Sequence, residues 1–449
     1  MKVIPQLVLI VIPSFIHIHA TSSSISTRAS GCSDQTGDDG RLLDNETLGP
    51  GASRNRRSAG SYEPDLVMDA IEASDYPLEV HVVVTKDGYI LKLHRIPDPA
   101  LQEDNDDVQL DSGANGAAGF RGVVLLMHGM FSTAADFVVT GPDNGLAFVL
   151  ADAGYDVWLG NTRGTRYSRK HISVSPKMAP FWDFSWHEIG TTDLAAMIDY
   201  ILRHSGERQL HYVGHNQGVT AVLVLLAEKP SYNRKIITIS GMAPLVFLGN
   251  GKNELIERLA KFNDQIWFTL KALNIFELTP SEEILKFIGS TVCSGEAPTG
   301  DLCSELLGRF FGFSTEQAKT LLPELLNKIL TGISTKQLIH YGQLMDSGKF
   351  HQFDYKIFIQ NMQHYKLGKP PEYNLSRITV PFTLFYGSKD FFTSRQDMKK
   401  LLRALPKISS YTEIPGWTHM DFIYNVQVYA KVYSKIIESM KNFTAVRNR

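Results

Sequence analysis

Residues 213–218 read Val213-Gly214-His215-Asn216-Gln217-Gly218, between a short apolar run at 210–213 and a stretch rich in Ala, Val and Leu at 219–227. The first has the composition of a buried strand and the second that of a buried helix. A glycine on either side of the central residue lets strand and helix pass close together around a sharp turn. The residue between them is left alone at the tip. Such a turn needs a strand ending at one edge of a sheet and a helix packing straight back on it. It therefore points to alternating strands and helices with a largely parallel sheet.

In enzymes that use this turn as a nucleophile elbow, the tip carries a serine. Its oxygen attacks an acyl carbon while a neighbouring His takes the proton. Here the tip is Asn216. Asn tolerates positive φ better than most residues, so the turn can form. An amide nitrogen, however, offers no lone pair of comparable nucleophilicity. Losing the nucleophile of a serine protease costs about 10⁶-fold in turnover, roughly 8–9 kcal/mol of barrier. Acyl-enzyme catalysis by the usual route is not expected from this chain.

The chain has 449 residues, 43% hydrophobic and 20% charged, with net charge −2. That suits one large α/β domain with an insertion and gives no argument for nucleic acid. Residues 1–20 form an apolar run after Met1-Lys2, with Pro5 and Pro13, and read as a secretory signal peptide. The alternative, a membrane anchor, is disfavoured by the shortness of the run and by its prolines; no other run is long enough to span a bilayer. Residues 21–57 are Ser-, Gly- and Asp-rich and read as a disordered leader or propeptide. They end in Arg54-Asn55-Arg56-Arg57, which is either a convertase site or a solvated basic cluster. Cys293 and Cys303 are close enough in sequence to close a short loop, worth roughly 3 kcal/mol by chain entropy. Asn45, Asn374 and Asn442 head glycosylation sequons. Together these features predict a secreted or lysosomal protein.

From about residue 76 the pattern is folded. Strands are predicted at 78–85 and 89–96, joined by Lys86-Asp87-Gly88, a strong hairpin signal. Further strands are predicted at 122–128, 156–159, 210–213, 235–239, 382–386 and 411–414, with helices at 146–153 and 192–203. The continuous apolar run ending at His128-Gly129 suits a parallel strand covered on both faces. Residues 245–378 lack strand patterns and read as a helical cap or lid inserted within a domain of residues 58–449. Helices are predicted there at 254–273, 280–289, 315–331 and 335–345. Leu255, Leu259, Phe262, Ile266 and Leu270 recur at helical spacing, either to pack on the sheet or to line an acyl pocket.

A hydrolase triad on this scaffold runs nucleophile, acid, His in chain order. Asp390 follows a late strand and His419 follows the last one, so Asp390 would orient the His419 ring toward the elbow. The oxyanion donors would be the backbone N–H groups of Gln217 and of Met130. His128, His215 and Asp421 read as structural or supporting.

The chain resembles the acid lipase family of gastric, lysosomal and insect lipases from roughly residue 75 to its end. The matching stretches include residues 87–97 (DGYILKLHRIP), 146–161 (LAFVLADAGYDVWLGN), 181–185 (FWDFS), 210–215 (LHYVGH), 387–390 (GSKD) and 419–422 (HMDF). The resemblance implies an α/β-hydrolase fold: a mostly parallel central sheet with helices on both faces and a helical cap or lid. It also implies hydrolysis of triacylglycerols or sterol esters with no metal or other cofactor. It places Cys293 and Cys303 at the family's cap disulfide, and Asp390 and His419 at its acid and base. The family's elbow is Gly-His-Ser-Gln-Gly, and Asn216 departs from it. Two readings follow. In the first, the chain binds lipid or acyl esters, with lipid-surface contact through the cap, and turns them over poorly or not at all. In the second, it is a working carboxylic ester hydrolase with a compensated mechanism, through water activated by His419 or through deamidation of Asn216 to a carboxylate.

Overall fold

The computed structural model describes residues 65–98, 121–251, 254–278, 305, 308–309, 311–314, 317 and 331–447. The expected signal peptide, leader, Cys293, Cys303 and Asn45 lie outside these residues, as do the helices expected at 280–289 and across most of 315–331.

Among the described residues, nine strands form the main sheet. They are β1 (Glu79–Val84), β2 (Tyr89–Ile96), β3 (Val123–Met127), β4 (Asp156–Gly160), β5 (Lys170–His171), β6 (Leu210–His215), β7 (Ile236–Met242), and the two late strands Phe382–Gly387 and Ile408–Ile414. A small separate ribbon pairs β8 (Glu277–Leu278) with β9 (Ile333–Ser334), so the late strands are β10 and β11. The order is β1-β2-β4-β3-β6-β7-β10-β11, with β5 beside β2. β1, β2 and β4 pair antiparallel; from β4 to β11 every pairing is parallel. This is an α/β-hydrolase fold.

The burial pattern explains the order. Every residue of β3, β4 and β6 is buried, as a strand covered on both faces requires. The outer strand β1 alternates instead, with Val80, Val82 and Val84 turned to solvent. Side chains of the inner strands sort by parity into two cores. Leu125, Met127, Trp158 and Tyr212 pack on one face; Val124, Leu126, Val157 and Val213 pack on the other.

Among the described residues, the helices of seven residues or more are, in chain order, α1 (Leu66–Ala73), α2 (Leu146–Asp152), α3 (Ala195–Ser205), α4 (Gln217–Glu228), α5 (Glu254–Lys261), α6 (Asn263–Ala272), α7 (Thr335–Ser347), α8 (Phe358–Tyr365), α9 (Arg395–Ala404) and α10 (Ser434–Arg447). Helical structure is thus present before the expected residue 76. Asp65 caps α1 by accepting from Val67 N and Met68 N, and Val67 and Ile71 enter the second core. The single helix expected at 254–273 is two. Asn263 turns inward, donates to the Ile339 carbonyl at 2.9 Å and packs on Gly342, while Phe262 is 60% exposed and leaves the expected apolar stripe.

A buried ion network ties the β1–β2 hairpin to the loop after β4. Arg163 donates to Asp193 from Nε at 2.8 Å and from Nη2 at 2.6 Å, and to Asp87 from Nη1 at 2.7 Å. Its guanidinium lies 3.9 Å from the Tyr89 ring centroid. Burial pushes the Asp193 carboxyl upward against the pull of Arg163.

Asp136, in the turn after β3, is buried with one oxygen accepting from Tyr424 Oη at 3.1 Å and the other without a partner. Burial outweighs the pull of the nearby Tyr424 and Ser132 hydroxyls and pushes its pKa from 3.8 up to about 6. A raised acid favours the folded state while it stays protonated. Its contribution is full below about pH 4 and is lost as pH rises through 6. Asp136→Asn should remove that loss: relative to the parent, the variant gains about 3 kcal/mol between pH 4 and pH 7 in denaturant unfolding. Parallel pH–stability curves for the two proteins would contradict this origin.

Candidate active site

The elbow forms where β6 gives way to α4, at the carboxyl edge of the parallel strands, where open α/β sheets place their ligand sites. Its closeness is set by glycine. A Cβ on Gly218 would lie 2.4 Å from the Met127 carbonyl oxygen, and one on Gly214 would lie 2.8 Å from Gly218 C. Strand, helix and the end of β3 therefore touch backbone to backbone. Asn216 is left at φ 53° and ψ −115°, a conformation that L residues rarely adopt.

The residues named from sequence converge on this tip. His419 Nδ1 stands 2.8 Å from Asp390 Oδ2. Asp390 Oδ1 accepts from Phe392 N at 2.8 Å and Thr393 N at 3.0 Å. Burial would raise the Asp390 pKa, but the His419 ring and these two N–H groups outweigh it and hold the carboxyl below its ordinary range. With Nδ1–H donating to Asp390, Nε2 is free to accept, and it does so from Asn216 Nδ2 at 2.5 Å.

The other end of the Asn216 amide is equally engaged. Its Oδ1 accepts from Gln217 N at 2.5 Å and from Met130 N at 3.3 Å, the two expected oxyanion donors. The N-terminus of α4 adds its partial positive charge at the same point. One side chain thus fills both the place of the attacking group, against His419, and the place where a substrate oxyanion would sit.

The supporting residues hold this arrangement in place. His215 Nε2 donates to the His419 carbonyl at 3.2 Å, and burial pushes its pKa down to about 3. His128 Nδ1 donates to the Gly129 carbonyl at 2.7 Å while Nε2 accepts from Thr162 N at 3.3 Å; burial lowers it to about 4. Both rings are neutral struts. Asp421 accepts from Thr418 Oγ1 and Asn425 Nδ2, each at 2.8 Å, and stiffens the loop that carries His419.

Three contacts from residues 245–378 were not foreseen. Met420 N donates to the Gly312 carbonyl at 3.0 Å, and Thr331 N donates to the Phe131 carbonyl at 3.1 Å. Gln337 caps α7 by accepting from Ser334 N at 3.0 Å and donates to Gln217 Oε1 at 3.2 Å. The Ser334-x-x-Gln337 capping box was visible as a sequence pattern; its reach to Gln217 was not. A narrow crevice lined by Met130, Phe131, Gln217, Ile333 and Gln337 runs beside the oxyanion donors. A wider hollow at Asp199, Arg203, Glu207, Arg208 and Lys235 lies at the opposite, amino ends of β6 and β7 and is lined mainly by charge.

Among the described residues, Glu79, His81 and His204 bring ligand atoms within 4.8 Å of one another. Arg95 Nη1 already lies between them, 2.7 Å from Glu79 Oε2 and 3.3 Å from His204 Nε2, so a cation is in place there.

Gly218→Ala would force α4 off β3. It should cost about 1–3 kcal/mol, read as a lower denaturant midpoint. An unchanged midpoint would mean that the close approach is not what fixes the elbow.

Residues 67–141 match the partial alpha/beta-hydrolase lipase region and residues 122–275 match the alpha/beta hydrolase fold. The chain is 37% identical to Lipase 3 of Drosophila melanogaster, over 84% of this chain and 92% of that protein. It is 36% identical to gastric triacylglycerol lipase of Homo sapiens, over 81% and 87%. It is 32% identical to a putative lysosomal acid lipase/cholesteryl ester hydrolase of Crotalus adamanteus, over 87% and 94%. At 32–37% identity over more than four fifths of this chain and of each relative, the chain belongs to the acid lipase family of gastric, lysosomal and insect lipases.

Proposed function

We propose that this protein binds lipid esters of the triacylglycerol or sterol ester class on a lipase scaffold and does not turn them over by the family's acyl-enzyme route. The observation that carries the reading is the double engagement of Asn216: Nδ2 on His419 and Oδ1 on the Met130 and Gln217 N–H groups. A substrate carbonyl would have to displace that oxygen, and would then meet an amide where a nucleophile is needed. Asp390 and His419 are the acid and base positions of the site, and Met130 and Gln217 its oxyanion positions.

The cap offers a surface suited to lipid. At the start of α8, Phe358 and Ile359 are 67% and 65% exposed, beside the exposed Ile357, Met362 and Leu367. Exposed Lys366 and Lys369 flank them. An apolar cluster rimmed by lysines fits a lipid interface, the apolar side chains entering and the ammonium groups meeting headgroups. No helix among the described residues is long and apolar enough to cross a membrane. A secretory route, lysosomal or extracellular, accords with the relatives named gastric and lysosomal and with Asn374 and Asn442, both exposed.

The test is hydrolysis of short- and long-chain esters by the parent and by Asn216→Ser. The serine variant should exceed the parent by about 10³-fold or more, with the parent near background. Hydrolysis by the parent that His419→Ala abolishes would overturn the reading in favour of a working esterase. Separately, Phe358→Asp with Ile359→Asp should weaken binding to phospholipid-coated triacylglycerol emulsions while leaving soluble-ester hydrolysis by Asn216→Ser unchanged. Equal emulsion binding would remove α8 from the interface.

A further inference from the structure

We propose that Asn216 is a self-modification site: the elbow holds its side-chain amide ready to cyclise onto the main-chain nitrogen of Gln217, lose ammonia and, after hydrolysis, leave a carboxylate at the tip. The inference goes beyond ligand binding and does not depend on it.

The geometry is that of the elbow itself. Closing a succinimide ring requires Cβ of the asparagine to eclipse the nitrogen of the next residue, so that the five ring atoms become coplanar. Helices, with ψ about −42°, and strands, with ψ about +135°, keep those atoms apart. The three substituents of Cα are evenly spaced about the Cα–C bond, so a ψ of −115° brings Cβ of Asn216 close to eclipsing Gln217 N. A conformation that is ordinarily part of the barrier is here the ground state, held by the packing of Gly214 and Gly218.

The neighbours match the chemistry. Gln217 N lies 2.5 Å from Asn216 Oδ1, one carbonyl bond from the Cγ it would attack. Met130 N–H faces the same oxygen at 3.3 Å, where negative charge would develop. His419 Nε2 is 2.5 Å from Nδ2, the leaving nitrogen, and Asp390 orients its ring. A side chain as large as that of Gln217 hinders such attack in a flexible chain. Here Gln337 Nε2 holds it from the side at 3.2 Å.

The step balances with water as the only co-reactant. Gln217 N bonds to Cγ and gives up its proton to solvent, and Oδ1 takes the charge under Met130 N–H. As the Cγ–Nδ2 bond lengthens, a proton taken from solvent is relayed to Nδ2 through His419 Nε2, which returns to its neutral form. The Cγ–Nδ2 bond breaks and ammonia leaves. One water then opens the ring. Attack at Cγ restores the Gln217 peptide and gives an aspartyl side chain; attack at the main-chain carbonyl gives the iso-aspartyl linkage.

The full-length protein is incubated folded and, in parallel, in concentrated urea at the same pH, then digested and read by mass spectrometry for exchange of amino for hydroxyl at position 216. Heavy-oxygen water marks the new carboxylate. The folded protein should convert at least about tenfold faster than the unfolded chain, while Asn361, followed by the bulky Met362, stays unconverted. His419→Gln should slow the folded rate and leave the urea rate unchanged. Conversion no faster in the folded protein than in urea overturns the proposal, and the wild-type comparison decides this even if the variant folds poorly. Ester turnover by the parent would end the binding reading without touching this one, because here the readout is the mass of one residue.

Discussion

The close approach of Gly218 to Met127 is the constraint on which the rest of the site depends. It brings the start of α4 against the end of β3 with no side chain between them. The tip residue therefore has one backbone conformation available, and that conformation presents its side chain to His419 on one side and to two main-chain N–H groups on the other. In a hydrolase those directions serve an attacking oxygen and a developing oxyanion. In this chain one amide reaches both, because an Asn side chain carries a donor and an acceptor on the same carbon.

The consequences follow from that pairing. The Asp390 carboxyl is held ionised and oriented by Phe392 and Thr393, so it fixes Nδ1 of His419 as the donor and leaves Nε2 as the acceptor. The amide nitrogen of Asn216 supplies the matching proton. Its oxygen satisfies buried N–H groups that would otherwise wait for substrate. The Asp390–His419–Asn216 cluster is therefore locally self-satisfied. The strain that would serve catalysis in a relative instead bears on the chemical durability of Asn216.

Much of this was legible in the sequence, for definite reasons. β3, β4 and β6 are buried on both faces, so their apolar runs are unbroken and their positions read cleanly. Asp390 and His419 were placed by chain order and by their positions after late strands. What escaped was set by tertiary contact. α1 is short, and its anchor is the pairing of Asp65 with Lys92 and His94, residues far along the chain. The break at Phe262 depends on Gly342 admitting Asn263. The exposed Phe358 and Ile359 carry no periodicity that marks them as surface. That Oδ1 of Asn216 would turn to the N–H groups of Met130 and Gln217 was also beyond the sequence, which named those groups as expected donors and gave no occupant for them.

The most direct measurement is nitrogen NMR of the His419 ring in protein labelled at histidine, recorded for the parent and for Asn216→Ala. With the Asn216 amide bridging base and oxyanion donors, Nδ1 carries the proton, Nε2 is an unprotonated acceptor, and the Nε2 resonance shifts when the amide is removed. A protonated Nε2 in the parent at neutral pH, or an Nε2 resonance indifferent to Asn216→Ala, would contradict the self-satisfied site.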